Sequence, residues 1–294
     1  KISKEAAETA VQKVADALDI GLMEAAEGII RVVNESMFGA LRLVSVEQGY
    51  DPRDFALVCF GGAGPLHANS MGILTAAWPV IIPPGPGVLC AYGDATTKVQ
   101  DEATRTYIKM AGEAATEELL ADLDALRIRA GESLVADGIP EAEHEVLYQA
   151  DLRYAGQAFS LTLEFTADEL KAQGIKVITD QFDDEHQQLF TFKLNDGHEI
   201  LMIRAVVKAR GAELAAGEVG TAGASLADCL IHESKIYYAG AYHGAPIYAR
   251  GKLSEGVVIP GPCIVSEMDS TTVILPGYAA TVDKVGNLLI NPTK

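Results

Sequence analysis

Long apolar segments and paired cysteines are both missing from this sequence. No apolar run approaches the roughly 20 residues that a membrane-spanning helix needs, and no secretory signal pattern is visible. The four cysteines (Cys59, Cys90, Cys229 and Cys263) are far apart and form no Cys-x-x-Cys pair. This spacing argues against a zinc ribbon and a dithiol redox motif. We therefore expect reduced thiols in a cytoplasmic protein.

Basic residues are also scarce. The sequence has 23 Lys and Arg against 41 Asp and Glu, which leaves a net charge of -18. Such a surface repels phosphate backbones and anionic lipid, so we expect neither nucleic acid nor a membrane as a partner. The six histidines show no His-x-x-x-His spacing, and we predict no transition-metal site.

The length of 294 residues and the hydrophobic content of 49% allow two or three packed units with a sizeable core. The patterns predict an α/β unit at residues 1–108, an α+β unit at 109–211 and a small all-β unit at 212–294. The last begins with a Gly/Ala-rich linker at 212–227. Because the chain opens at Lys1 on an amphipathic pattern, we interpret it as a piece of a longer chain or a processed subunit.

The first unit shows two helical patterns and two short apolar runs. Ser3 is placed as the N-cap of a helix that continues to Leu18, and a second helix is predicted over residues 22–48. Residues 55–60 are apolar on both faces, which predicts a central strand covered on both sides. Residues 80–82 predict another buried strand.

The middle of the chain changes from helical to alternating periodicity. A helix at residues 113–137 is followed by strands at 147–154 and 159–165, paired around a turn at 155–156. Short helices at 166–170 and 185–192 and a strand at 200–209 complete this unit.

A glycine cluster, Gly61-Gly62-Ala63-Gly64-Pro65, follows the first apolar run and precedes a helix. Glycines let the backbone approach a ligand closely, and the N–H groups at a helix start favour anions or ring acceptors. No Gly-Lys-Ser/Thr follows, and the third glycine is misplaced for a dinucleotide fingerprint. The segment is therefore either a nucleotide-binding turn of another type or an ordinary tight turn.

Three further groups of residues have alternative interpretations. His67 either contacts a ligand at the nucleotide cleft or packs in the first turn of a helix. Asp151 and Arg153 alternate along a strand, so they are expected on one face, as an ion pair or at a substrate cleft. Residues 269–272 predict a hydroxyl-rich hairpin or interface element, with a binding site as the alternative.

Several segments together resemble the hydantoinase A/5-oxoprolinase family, which includes N-methylhydantoinases and acetone and acetophenone carboxylases. The chain resembles the C-terminal half of the members of that family, and the resemblance covers nearly the whole chain. The segments that carry it are residues 27–34, 44–57, 60–68, 83–89, 151–157, 261–265, 269–273 and 276–278.

This resemblance implies an actin-like ATPase fold, of the kind found in sugar kinases and heat-shock chaperones, with ATP and Mg²⁺ as cofactors. Residues 1–108 would be the C-terminal part of the ATPase domain. The adenosine-binding turn would be formed by Gly61, Gly62, Ala63 and Gly64, with His67 beside it. The family's phosphate loop, Asp-x-Gly-Gly-Thr, belongs to the N-terminal half and does not occur in these 294 residues.

The resemblance also implies the reaction and the partners, although it identifies no catalytic residue. The expected activity is ATP-dependent phosphorylation and opening of a cyclic amide such as a hydantoin or 5-oxoproline. The alternatives are the nucleotide-binding subunit of an ATP-dependent ketone carboxylase and a non-catalytic scaffold fragment. The expected partners are the missing N-terminal half, a hydantoinase B-type subunit and a small cyclic amide or ketone.

Overall fold

A computed structural model describes residues 3–210 and 225–293. The fold is a mixed α/β arrangement that divides into two compact units. The first unit contains Lys1–Ala95 and Ala215–Lys294, and the second contains Thr96–Leu214. Most of the predicted linker at 212–227 lies outside the described residues. No helix in the described ranges is long and apolar enough to cross a membrane.

The first part of unit 1 alternates helices with two short strands. Its first helix begins where Ser3 accepts a hydrogen bond from the Ala6 N–H, which confirms the predicted N-cap. The second helix ends four residues earlier than predicted and is followed by a 3₁₀ turn at Val46–Gln48. The elements are α1 (Lys4–Leu18), α2 (Leu22–Val44), β1 (Leu57–Val58), α3 (Gly64–Thr75), β2 (Val80–Ile82) and α4 (Leu89–Thr96).

Unit 2 is an antiparallel sheet covered by helices. Its strands occur in the order β3-β6-β4-β5, with the predicted hairpin between β4 and β5. The sequence interpretation did not predict β3, and its boundary between residues 108 and 109 falls within this strand. The elements are β3 (Gln100–Met110), α5 (Thr116–Ala136), β4 (His144–Tyr154), β5 (Leu161–Phe165), α6 (Ala167–Gln173), α7 (Lys176–Phe190) and β6 (His198–Ala209).

The core of unit 2 lies between this sheet and its helices. Leu119 and Leu123 of α5, Phe182 of α7 and Leu152 of β4 are fully buried in one cluster. Thr166 and Glu169 form a capping box at the start of α6, so the short predicted helix begins where the local sequence indicates.

The C-terminal segment returns to unit 1 as a series of short strands. They form a four-stranded sheet, β13-β12-β10-β7, a hairpin of β8 and β9, and part of a five-stranded sheet, β1-β2-β15-β14-β11. The strands are β7 (Leu230–His232), β8 (Lys235–Tyr238), β9 (Ala241–Gly244), β10 (Ile247–Ala249), β11 (Val258–Pro260), β12 (Cys263–Ser266), β13 (Thr271–Ile274), β14 (Tyr278–Val282) and β15 (Leu288–Pro292).

The structure therefore differs from the expectation of a separate C-terminal β unit after residue 212. β15 pairs antiparallel with β2, from Leu288 opposite Ile82 to Ile290 opposite Val80. These four side chains are fully buried in one core, which also contains Ala68 of α3. Because the two segments share a sheet and a core, they form one unit.

The strand predicted at residues 55–60 is present in part, as β1, but the prediction that it is a central strand is wrong. β1 pairs on one side, in parallel with β2, and is the last strand in the described order of its sheet. Val58 and Phe60 are 50% and 48% exposed. The apolar residues of this strand are thus not covered on both faces within the described part of the chain.

Candidate functional site

The glycine loop, defined here as Gly61–Gly64, joins β1 to α3. Gly61 has φ +86°, a conformation that strongly favours glycine. Its N–H donates to the carbonyl oxygen of Pro86 at 2.7 Å, which ties the glycine loop to the loop that follows β2. The predicted tight turn is therefore present, and its first residue is fixed.

The next two residues of the glycine loop have no backbone partner for their N–H groups. Gly62 and Ala63 are exposed, and among the described residues no backbone acceptor is bonded to their N–H groups. Ala63 is the N-cap of α3 and has no side chain that caps it. Pro65 occupies the first turn of α3, as predicted. This arrangement offers unpaired backbone donors at a helix start, where they suit an acceptor on a ligand.

Two other segments of unit 1 lie against this loop. Ser270 Oγ, in the turn between β12 and β13, donates to the Gly62 carbonyl oxygen at 3.2 Å. In the same turn, Glu267 Oε2 accepts from the Gly85 N–H at 3.3 Å. The predicted hairpin at residues 269–272 is confirmed by the pairing of β12 with β13. The sequence interpretation did not place this hairpin beside the glycine loop.

A buried ion pair lies behind the turn. Arg250 Nη1 and Glu267 Oε1 are 3.6 Å apart, with side chains 8% and 11% exposed. Burial raises the pKa of Glu267 and lowers the pKa of Arg250, and their mutual attraction opposes both shifts. Arg250 Nη2 also donates to the carbonyl oxygens of Ile82 and Gly286. The pair therefore links the turn to the end of β2.

His67 is positioned by a residue that the sequence interpretation did not single out. Its Nδ1 lies 2.8 Å from Oδ1 of Asn34, which is 6% exposed on α2. The signal in the sequence was Asn34 itself, a polar residue between the apolar positions of a predicted helix. One nitrogen of the His67 ring is therefore used in a contact between α3 and α2.

The predicted pairing of Asp151 with Arg153 is wrong. Arg153 Nε donates to Glu199 Oε2 at 2.7 Å, because the two residues are opposite each other on β4 and β6. Asp151 instead accepts from Thr162 Oγ1 at 2.6 Å across β4 and β5. Both interactions are cross-strand contacts within the sheet of unit 2.

The described residues around the glycine loop offer no cluster of metal ligands. Within residues 3–210 and 225–293, no three or more His, Cys, Asp or Glu side chains are grouped to hold a metal ion. An apolar cavity of about 420 Å³ lies elsewhere in unit 1, near the start of β1. Tyr50, Phe55 and Leu57 are among its lining residues, and none of the glycine loop residues line it.

Comparison with known proteins identifies the family of the chain. Residues 1–103 match the profile of the hydantoinase/oxoprolinase family, and residues 108–290 match the profile of the hydantoinase/oxoprolinase C-terminal domain. An uncharacterised protein of Methanocaldococcus jannaschii is 34% identical to the chain, with 99% of the chain and 41% of that protein covered.

Two characterised relatives are subunits of larger enzymes. The caprolactamase subunit alpha of Pseudomonas jessenii is 29% identical over 99% of the chain and 43% of that subunit. The acetophenone carboxylase gamma subunit of Aromatoleum aromaticum is 28% identical over 97% of the chain and 41% of that subunit.

The fold agrees with this sequence similarity. The crystal structure of the ATP-dependent caprolactamase from Pseudomonas jessenii superimposes with a TM-score of 0.87 and 28% identity, covering 100% of this chain and 43% of that chain. The chain thus spans less than half the length of these relatives. Two profile matches that together cover most of the sequence show that the chain belongs to the hydantoinase/oxoprolinase family.

Proposed function

We propose that this chain provides the adenosine-binding part of an ATP-dependent enzyme that opens cyclic amides. The observation that carries the proposal is the exposed Gly62-Ala63 backbone at the start of α3. Among the described residues, no backbone oxygen accepts a hydrogen bond from its N–H groups. Gly62 also has no side chain that would obstruct a flat ring. Such a backbone can accept a nucleotide base and ribose, which supports the proposal.

The proposed nucleotide-contacting residues are Gly61, Gly62, Ala63 and Gly64, with His67 beside them. Gly61 shapes the turn, whereas Gly62, Ala63 and Gly64 present backbone N–H groups. His67 uses Nδ1 for Asn34, so a contact with the nucleotide would use its Nε2. The resemblance of the segment to the adenosine turn of actin-like ATPases supports these roles, and we propose that residues 1–108 belong to such a domain.

The phosphates and Mg²⁺ are proposed to bind elsewhere in the complete enzyme. The Asp-x-Gly-Gly-Thr loop is absent from this sequence, and the described residues contain no acidic or histidine cluster for a metal. ATP with Mg²⁺ would supply a phosphoryl group that activates the poorly reactive amide oxygen. The contribution of this chain is then to bind and orient the nucleoside end.

Exposed apolar side chains on α2 and around β1 support the presence of a further portion that packs against unit 1. Ile30 and Val32 of α2 are 46% and 66% exposed, and Val58 and Phe60 around β1 are about half exposed. Soluble proteins rarely leave large apolar patches in water. We propose that an N-terminal portion of the family covers some of these side chains and that a hydantoinase B-type subunit completes the enzyme.

A ketone carboxylase is the second candidate. It is favoured by the 28% identity to the acetophenone carboxylase gamma subunit over 97% of the chain. The same nucleotide-binding role applies in both candidates, because both reactions use the nucleotide to activate an oxygen. The difference lies in the substrate and in the use of bicarbonate.

The test is ADP release by the chain assembled with an N-terminal portion and a hydantoinase B-type subunit. We expect ATP turnover to rise with one member of a panel of lactams, hydantoins and 5-oxoproline. Turnover that depends on bicarbonate and a ketone instead would select the carboxylase. An assembly that binds no ATP or ADP would leave the chain as a scaffold and would contradict the proposal.

A further inference from the structure

The clamp turn, defined here as Glu267–Ser270, is a polar turn beside the glycine loop. It connects β12 to β13 and comes more than 200 residues after the glycine loop in the sequence. Its hydrogen bonds reach two different loops, through Ser270 to Gly62 and through Glu267 to Gly85. Those two loops are also bonded to each other, from the Gly61 N–H to the Pro86 carbonyl oxygen.

The loop after β2 approaches the clamp turn too closely for any side chain at Gly87. A Cβ at Gly87 would lie 2.7 Å from the Asp269 carbonyl oxygen and 2.8 Å from Asp269 Oδ2. The first of these atoms belongs to the backbone, so the clash would require the turn itself to move. Glycine at this position is therefore needed for the two segments to meet.

The clamp turn is held from behind by the buried Arg250. Glu267 directs Oε2 to Gly85 and Oε1 towards Arg250. Arg250 is bonded in turn to the Ile82 carbonyl oxygen at the end of β2. One carboxylate thus joins the clamp turn, the loop after β2 and the strand before that loop.

The Ser270 contact has a direct consequence for the exposed donors of the glycine loop. The Gly62 carbonyl and the Ala63 N–H belong to the same planar trans peptide unit and point in opposite directions. A hydrogen bond from Ser270 Oγ to that carbonyl therefore also fixes where the Ala63 N–H points. Since the carbonyl points at Ser270, this N–H is directed away from the clamp turn, and Ala63 itself is exposed.

We propose that Ser270 is a positioning residue for the nucleotide: it orients the Gly62–Ala63 peptide so that the Ala63 N–H meets an acceptor of the adenosine end. Glu267 and Gly87 keep the clamp turn in place for this purpose. This inference rests on the proposed function, because it assigns a supporting residue to the same site. The ligand class is an adenosine nucleotide, and Ser270 itself does not touch it.

The experiment compares Ser270→Ala with Met268→Ala in the full chain assembled with an N-terminal portion. Met268 lies in the same turn and is 100% exposed, so it is a matched control. We measure ADP affinity of the assembly by calorimetry, and unfolding of the chain alone by the fluorescence of Trp78, its single tryptophan. Loss of one orienting hydrogen bond predicts affinity about tenfold weaker in Ser270→Ala, and wild-type affinity in Met268→Ala.

A second variant, Gly87→Ala, displaces the turn from the other side. Gly251→Ala is its control, because a Cβ there meets no atom within 4 Å. Hydrogen exchange without nucleotide should increase in residues 57–66 of both Ser270→Ala and Gly87→Ala, while both controls behave as wild type. This measurement reports loop order independently of any nucleotide.

The outcomes separate the inference from the proposed function. A wild-type assembly that binds no ADP contradicts both. Wild-type binding with equal affinity in Ser270→Ala overturns the inference alone, even if the unfolding midpoint falls, since that pattern describes a purely structural serine. Unchanged exchange in residues 57–66 of Ser270→Ala also overturns it.

Discussion

His67 and Asn34 join α3 to α2 through a 2.8 Å contact between the imidazole Nδ1 and the amide Oδ1. Asn34 is nearly fully buried, and His67 is half-buried. The oxygen is the acceptor in this arrangement, so Nδ1 carries the proton. The helix that begins at the glycine loop is thereby fixed to the preceding long helix.

Replacing Asn34 by Ala should destabilise unit 1. The His67 N–H then loses its acceptor in a partly buried position, and we expect the free energy of unfolding to fall by about 1–2 kcal/mol. Urea unfolding followed by Trp78 fluorescence measures this change. Ser36→Ala is the control, because Ser36 lies on the same helix but is exposed. Equal midpoints for the two variants would show that the contact contributes nothing.

Alanine should have opposite consequences at the two ends of the glycine loop. Gly61 has φ +86°, and an alanine in the left-handed region costs about 1–2 kcal/mol. Gly64 is the first residue of α3, and a Cβ there would be at an ordinary 3.8 Å from the Cys59 carbonyl carbon. We therefore expect Gly61→Ala to lower the thermal midpoint and Gly64→Ala to leave it unchanged or raise it slightly. A similar fall in both variants would mean that tight packing, and not the backbone conformation, explains the glycines.

The local features of the fold were predictable, because their causes lie within a few residues. The caps at Ser3 and Thr166 and the β4–β5 hairpin follow from short sequence patterns, and the structure has them. The glycine loop was likewise predicted as a tight turn between a strand and a helix. Its use as a nucleotide site stays a prediction.

The contacts that build the surroundings of the loop were not predictable. Ser270 and Gly62 are 208 positions apart, and no local pattern indicates which distant hairpin returns to a given turn. The same reason explains the error at Arg153. Alternation correctly predicts which face of a strand a residue occupies, but its partner, Glu199, is chosen by the register with another strand.

Removing the charge of Arg250 should be among the most destabilising single changes in unit 1. In Arg250→Met the volume is approximately kept, but Glu267 stays buried without its counter-ion, and the carbonyls of Ile82 and Gly286 lose their donor. Breaking a buried pair in this way costs about 3–5 kcal/mol.

The matched comparison is the double variant Arg250→Met with Glu267→Gln, which removes the uncompensated charge. We expect it to recover part of the loss in urea unfolding, because a neutral amide is less costly to bury than a lone carboxylate. Arg53→Ala should change the midpoint little, since the Arg53–Asp51 pair is largely exposed. If the double variant is less stable than Arg250→Met, the two residues do not act as a charge pair.

The Asp183 carboxylate gives unit 2 a predictable dependence on acid. Burial is the largest single effect and would raise its pKa, but it is outweighed by several opposing effects together, led by hydrogen bonds from Tyr154 Oη and His198 Nε2, both 2.7 Å from Oδ1. The charge of His198 and, more weakly, of Lys193 acts in the same direction. The folded-state pKa of Asp183 is thus below the ordinary value of 3.8.

The sign of the effect follows from proton binding. Between the folded-state pKa and 3.8 the unfolded chain binds more protons at this residue, so stability rises with pH in that window. The contribution is complete above the ordinary pKa and is lost as the pH falls through the folded-state pKa. Asp183→Asn keeps an oxygen acceptor for Tyr154 but cannot titrate, and it should remove this part of the acid sensitivity.

Hydrogen exchange of residues 144–154 and 176–190 measures the effect within unit 2. For each amide, the ratio of exchange rates between Asp183→Asn and wild type cancels the intrinsic effect of pH. We expect this ratio to be greatest near neutral pH and to decline as the pH falls below 3.8. Asp168→Asn is the control, because the Asp168 side chain is 97% exposed, and its ratio should stay constant. A constant ratio for Asp183→Asn as well would mean that the carboxylate charge is not what holds Tyr154 and His198 together.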